Sequence, residues 1–346
     1  MRKSSKLAGM AVALSLTGLV MGQVGKRGSV SPGPSGYRVV RTIPLGGEGL
    51  WDRLALDSAT RRLYVPRDTH VMVLDADTGA VIGSIPDTQG VHGVALAPEL
   101  GRGFSSNGRT NTVTVFDLKT LKTTGTVQTG KNPDAIVYDS ASKTVFSMNS
   151  GNQSITAIDA TNGTVRGTIR LVDDPEGAVT DGKGNLYVNI ADPAEIAVID
   201  VAKLSLRRRI PLAPCQEPRG IAMDIKTRRL FSGCSNEIMV VTDADSGGFI
   251  AKVQTGGRTD SVAFDPGHQL AFTANGVGTV TVVREESPNK FTVVENVKTK
   301  RGARSMVLDG KTHRIFLATA AFRSPAQIEE PNFMEPNSFV ILIVGK

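Results

Sequence analysis

Pro133-Asp134-Ala135-Ile136-Val137-Tyr138-Asp139 returns, altered but recognisable, as Pro175-Glu176-Gly177-Ala178-Val179-Thr180-Asp181 and as Pro218-Arg219-Gly220-Ile221-Ala222-Met223-Asp224. Each copy is followed by a short turn and a second apolar run, at 144–148, 186–190 and 229–232. Aligning every copy on the residue before the small or apolar run gives Asp52, His92, Asp134, Glu176, Arg219, Asp260 and Arg304, spaced by 40, 42, 42, 43, 41 and 44 residues. A period of this length, with four short strands per unit, is the signature of a propeller blade. In the third unit the strands read as 134–139, 143–149, 154–159 and 164–170. Helical spacing is nowhere sustained after the first residues, which excludes a βαβ organisation.

The ends of the repeat predict how the ring closes. Residues 37–44 resemble a fourth, outer strand such as 80–86, yet no unit precedes them. The seventh unit, from Arg304, supplies three strands and stops after 338–344. The first strand therefore completes the last blade and removes an open sheet edge. The expectation is an all-β fold: one seven-bladed propeller of four-stranded antiparallel blades over residues 37–346.

Residues 1–22 read as a signal peptide. Arg2, Lys3 and Lys6 form a positive n-region, residues 7–21 an uncharged apolar stretch, and Val20 and Gly22 permit cleavage near Gly22–Gln23. The apolar run is short of the roughly 20 residues of a spanning helix, and no cysteine follows it to carry a lipid anchor. Export to a periplasmic or extracellular compartment is expected, with no membrane span in the mature chain. Residues 23–36, rich in Gly, Ser and Pro, read as a flexible linker. Of the formal net charge of +7, three charges lie in the signal segment and two, Lys26 and Arg27, in the linker, leaving +2 for the folded part. That balance argues against a dedicated nucleic-acid binder.

Cys215 and Cys234 are the two cysteines. In an oxidising compartment an even pair reads first as a disulfide. Cys215 precedes the first strand of the fifth unit and Cys234 ends its second, so the hairpin brings both to one end. There is no Cys-x-x-Cys motif for redox or haem chemistry.

The repeats resemble the YVTN family of β-propellers, and its YncE-like members in particular. The matching residues are Tyr64-Val65, Tyr187-Val188-Asn189, Thr273-Ala274-Asn275 and Asn132-Pro133-Asp134, with the strands Ala157-Ile158-Asp159 and Val198-Ile199-Asp200. The resemblance implies an exported binding or scaffold protein. Some relatives bind single-stranded DNA or act in cofactor- and metal-linked pathways.

Most acidic residues read as turn punctuation. Asp57, Asp139, Asp181, Asp224, Asp265 and Asp309 fall five residues after the aligned position, and Asp75, Asp117, Asp159, Asp200 and Asp243 end third strands. Asp in such places satisfies local backbone donors. Asn107, Asn149, Asn189 and Asn275 close second strands in the same spirit.

The aligned seven keep the backbone pattern but vary their side chains, as a purely structural position would not. They stand around one mouth of the central channel and are the candidate ligand-binding residues. Trp51, Arg67 and His70 of the first unit are expected to join them. Internal ion pairing of this mixed ring is one expectation, and a polar small molecule or a protein partner bound at the mouth is another. A third is a divalent cation on Asp134, Glu176 and Asp260, with oxygen ligands of the kind calcium or magnesium prefers. His70 and His92 lack a third nitrogen or sulfur ligand. His268 and His313 begin second strands at the opposite end and read as incidental. The connection 320–337, carrying Pro and Glu, is long for its place and suits either a lid or a variable loop.

No Gly-x-Ser-x-Gly elbow, phosphate-binding glycine loop or His-Glu-x-x-His helix is present. A non-catalytic binding propeller, expected to be a monomer, is the leading reading. The runner-up is a metal-assisted hydrolase or lyase of the lactonase type with His92 as base. Nucleic-acid binding through Trp51, Arg67, Arg219 and Arg304 ranks third.

Overall fold

The computed structural model describes residues 35–324 and 333–346. The expected signal peptide and most of the expected linker lie outside the described residues, as does the tip of the 320–337 connection. Seven four-stranded antiparallel sheets follow one another around a central channel, six of them running in chain order from the inner to the outer strand. The third blade, for example, comprises Pro133–Asp139, Thr144–Asn149, Ser154–Asp159 and Val165–Arg170. The seventh breaks chain order as expected: Ser305–Asp309, Arg314–Thr319 and Val340–Gly345 are completed on the outside by Arg38–Pro44.

A single aromatic column organises the core. The third residue of every second strand is Tyr64, Phe104, Phe146, Tyr187, Phe231, Phe272 or Phe316, and each is 0–1% exposed. Seven of the chain's 17 aromatic side chains are used this way, so low aromatic content still gives every blade one large buried ring. Branched aliphatic residues on the second and third strands fill the space between neighbouring sheets. Ile43, Leu63, Val65 and Leu74 pack with Phe316, Ile341 and Ile343 across the junction of the first and last blades. Burying a Leu or Ile side chain is worth about 1.5–3 kcal/mol, so this seam is held by apolar contact as well as by the closing strand.

Turn chemistry is as the sequence indicates. Asp57 Oδ1 accepts the amides of Ala59 and Thr60, and Asp243 Oδ1 those of Asp245 and Ser246. The strand-closing asparagines are buried: Asn149 Nδ2 donates to Ser154 and Thr156 and Asn275 Nδ2 to Thr279 and Thr281, tying second strands to third, whereas Asn189 Nδ2 donates to the Arg219 and Gly220 carbonyls of the next blade. They are structural. Cys215 and Cys234 form a disulfide with Cα atoms 5.5 Å apart.

The first-to-second-strand turns also carry a contact between blades. Each has a left-handed residue just before the second strand, as at Arg61, Arg228 and His313, with φ of 59°, 60° and 57°. At these three that geometry throws the side chain back onto the turn Asp of the preceding blade. Arg61 Nη1 donates to Asp309 at 2.6 Å, Arg228 Nη1 to Asp181 at 3.1 Å, and His313 Nδ1 lies 2.8 Å from Asp265 Oδ2.

Asp309 also accepts from Ser58 and Thr312, and although burial opposes its ionisation these donors and Arg61 hold it down at about 2. A carboxyl depressed on folding contributes stability that is present above its ordinary value near 4 and lost as pH falls toward 2. Asp309→Ala should therefore cost about 3 kcal/mol in urea unfolding at neutral pH, the scale for breaking one side of a buried ion pair; a cost under about 1 kcal/mol would dismiss the inter-blade contact as decoration. Loss of the disulfide in Cys215→Ser/Cys234→Ser should cost a similar amount, about 3 kcal/mol for a loop of this size, and unreduced protein should show no free thiol by mass spectrometry.

Candidate functional site

Seven inner strands converge on the channel axis, and the position just after each ring residue faces that crowd. It is Gly93, Ala135, Gly177, Gly220, Ser261 and Ser305 in six blades. A Cβ on Gly177 would lie 2.7 Å from the carbonyl oxygen of Arg219, and one on Gly220 2.6 Å from that of Asp260. No side chain fits there. Blade one places Arg53 at the same position. Its Nε lies 3.3 Å from Asp134 Oδ1 and its Nη2 3.6 Å from Glu176 Oε2. With Gly177, Gly220, Ser261 and Met306 it also lines a cavity of about 110 Å³ in the channel. Arg53 is absent from the sequence-derived site, and its signal was available: it is the one long side chain in a column of small ones.

The ring itself is ionically paired. His92 Nδ1 lies 2.8 Å from Asp52 Oδ2, Glu176 Oε1 accepts from Arg219 Nη1 at 2.5 Å, and Arg304 Nη1 lies 3.5 Å from Asp260 Oδ2. With Arg53 serving Asp134 and Glu176, every member of the ring has an oppositely charged neighbour. Burial pushes Asp52 up against the opposing hydrogen bond from His92. Burial also works against the charge on Asp134, but Arg53 and His92 prevail and hold it below its ordinary value. For His92, burial is outweighed by Asp52 and Asp134, and the imidazole is raised. Glu176 is pushed up to about 7 by burial despite Arg219 and Arg53.

For a cation, the arrangement differs from the oxygen set suggested by sequence. Arg53 bridges Asp134 and Glu176 with its own positive charge, and Asp260 faces Arg304. Among the described residues at this mouth, the groups whose ligand atoms come within 4.8 Å of one another are Asp52, His92 and Asp134.

Two clefts lined by described residues open on this face. One of about 460 Å³ is lined by Trp51, Asp52, Asp68, His92, Arg109 and Arg304 among others, with Arg109 ion-paired to Asp68. The second, about 370 Å³, is lined by Arg219, Ser235, Arg258, Thr259, Asp260 and Arg304. Arg304 lines both. Cys234 of the buried disulfide directly precedes Ser235, which lines the second cleft and whose hydroxyl donates to Glu217. Trp51 packs against Phe339 and Phe322, with centroids 5.2 and 6.0 Å away. Phe322 belongs to the foot of the 320–337 connection, where it bridges to Met334. The described ends of that connection therefore lie beside the indole.

Arg67 and His70 are placed differently from the expectation. Arg67 is 1% exposed, lies 3.7 Å over the ring of Phe339, and donates to the carbonyls of Gly46, Glu48 and Gly49. Burial lowers it to about 10. It clamps the 46–49 loop under Trp51 and lines neither cleft. His70 is half-buried beside Thr69, and burial followed by the charge of Arg67 lowers its pKa. The structure thus gathers the seven ring residues and Trp51 at the mouth, and puts Arg67 beneath it.

No protein-family model matches the chain, and no curated protein matches it. Solved structures do. The crystal structure of the RRP9 WD40 repeats is similar with a TM-score of 0.73 at 11% identity, over 91% of this chain and 99% of that one. A chain of the Mitotic Checkpoint Complex crystal structure is similar with a TM-score of 0.71 at 13% identity, over 91% and 95%. The protein has the seven-bladed propeller fold. At these identities the likeness speaks for fold alone, and the YVTN resemblance rests on its strand motifs.

Glu176 titrates near 7 folded against an ordinary 4.5. Between those values the folded chain holds the proton more tightly than the unfolded one, so stability falls as pH rises through that window. The raised Asp52 and His92 act in the same direction. The Tm of the wild type should therefore drop between about pH 5 and pH 8, and Glu176→Gln should flatten much of that drop. An unaltered pH profile in the variant would assign the titration elsewhere.

Proposed function

We propose that this chain is an exported, non-catalytic binding propeller of the YVTN type, and that its mouth recognises a polar ligand bearing an anionic group. The ligand is a small molecule or the acidic segment of a protein partner. The observation that carries this reading is Arg304, which lines both clefts and so joins an arginine-bearing pocket to one with an indole wall. Guanidinium groups recognise carboxylate and phosphate through paired donors, and the flat face of Trp51 suits an apolar or aromatic body. The disulfide accords with an oxidising compartment, as the leader sequence does with export. That one of the similar chains comes from a complex accords with a protein as the occupant.

A metal-assisted hydrolase is the second reading, favoured by the convergence of Asp52, His92 and Asp134. Elemental analysis of the purified protein separates the two, because a stoichiometric metal lost on His92→Ala belongs to the hydrolase alone.

Differential scanning with citrate, an aromatic carboxylate and an acidic peptide tests the leading reading. At least one should raise Tm in a saturable manner, and Arg219→Ala/Arg304→Ala should abolish that rise while the variant still unfolds cooperatively. Persistence of the rise in the double variant would move the site off this mouth.

A further inference from the structure

The opposite face holds a second cluster that the mouth does not use. At the seam of the sixth and seventh blades, Asp265 Oδ2 is approached by His268 Nδ1 at 2.9 Å and by His313 Nδ1 at 2.8 Å. The two imidazoles have centroids 4.0 Å apart with planes at 65°. The carboxylate is 1% exposed, whereas the imidazoles are 38% and 34% exposed. Two nitrogens and one oxygen converge from a buried anchor toward solvent.

Comparison with the other seams separates this cluster from ordinary turn chemistry. Where Arg61 and Arg228 make the equivalent contact, one guanidinium on the turn Asp joins the blades. Here a smaller imidazole takes the arginine's place, and a second imidazole comes from the Asp's own turn. The mechanical contact needs only His313. Gly267 lies against the His313 ring, and a Cβ there would sit 2.6 Å from His313 Cε1, so the turn is open where the ring must stand.

We propose that Asp265, His268 and His313 bind a divalent transition metal of the zinc class on the face opposite the mouth. Imidazole and carboxylate suit such ions. Ligands at about 2.0–2.1 Å from zinc stand about 3.3 Å from one another, which is near the two nitrogen–oxygen separations, and all three ligand atoms already lie within 4.8 Å of one another. Each neutral imidazole gives its Nδ1 lone pair to the metal and carries its proton on Nε2. The Gly267 amide donates to Asp265 Oδ1 at 2.9 Å and fixes the carboxylate, as outer-shell donors do at metal sites. Three protein ligands leave a position for water or for a donor from a partner. The metal cross-links the sixth blade to the seventh, beside the point where Tyr37 leads into the closing strand and its hydroxyl donates to the His313 carbonyl at 3.2 Å.

The test uses the untagged mature chain, stripped with chelator and titrated with zinc chloride by calorimetry and with cobalt(II) by visible absorption. We expect one equivalent bound at this site, a rise in Tm with zinc, and a cobalt spectrum with nitrogen and oxygen ligation. His268→Ala keeps the His313–Asp265 contact and so the fold; it should weaken zinc binding by more than about tenfold and abolish the zinc-dependent Tm rise. His92→Ala, at the mouth, should leave this equivalent intact. Undiminished binding in His268→Ala, loss of this equivalent in His92→Ala, or no binding by the wild type would each overturn the proposal.

Discussion

Closure of the ring by Arg38–Pro44 on Val340–Gly345, with Thr42 opposite Leu342 and Ile43 opposite Ile341, is the pairing on which the other geometry depends. It supplies the missing strand of the seventh blade and seats Ile43 among the side chains that bind the last blade to the first. With the circle complete, seven inner strands are held around one axis. Their crowding then dictates the column of Gly, Ala and Ser behind the ring, because a Cβ at Gly177 or Gly220 would strike a neighbouring backbone. The mouth residues converge because the circle is closed behind them.

Convergence has an electrostatic consequence. Four carboxylates at one opening repel one another, and at an effective dielectric near 20 two like charges about 4 Å apart cost about 4 kcal/mol. Arg53 answers that within the channel, on Asp134 and Glu176 directly, and the carboxylates in turn reinforce its charge against burial. Because Arg53 supplies positive charge centrally, Arg304 and Arg219 need not neutralise the ring alone and can line the clefts. His92 is the corresponding group on the indole side, raised by Asp52 and Asp134. The mouth is thus a compensated network in which Arg304 lines both clefts and Arg219 the second.

How much of this was legible in the sequence depends on whether a feature repeats. Blade number, closure, turn aspartates and the Cys215–Cys234 bridge were readable because every blade must solve the same turns with the same few residue types, and because one hairpin fixes the cysteine geometry. The ring could be placed for the same reason. Arg67 could not, since its surroundings are set by Phe339, 272 positions away, and by the carbonyls of a loop that belongs to no repeat. His268 and His313 read as incidental because their meeting depends on a left-handed turn in one blade throwing a side chain back onto the preceding one. That geometry becomes visible only once neighbouring seams can be compared. Arg53 is readable in principle, as the one long side chain in a column of small ones.

Exceptions of that kind carry different meanings on the two faces, and the surroundings distinguish them. Arg53 breaks the rule of small residues yet sits among carboxylates that match its charge, with a side chain only 21% exposed. It behaves as internal compensation. His313 breaks the pattern of arginine on the turn Asp, and it comes with a second imidazole that the blade contact does not need and with a third of its surface in solvent. A repeat supplies geometry at no extra cost to each copy, so a departure that serves the fold is enclosed by partners from the fold. One that leaves nitrogen donors at the surface around a buried carboxylate has more ligand than the fold requires.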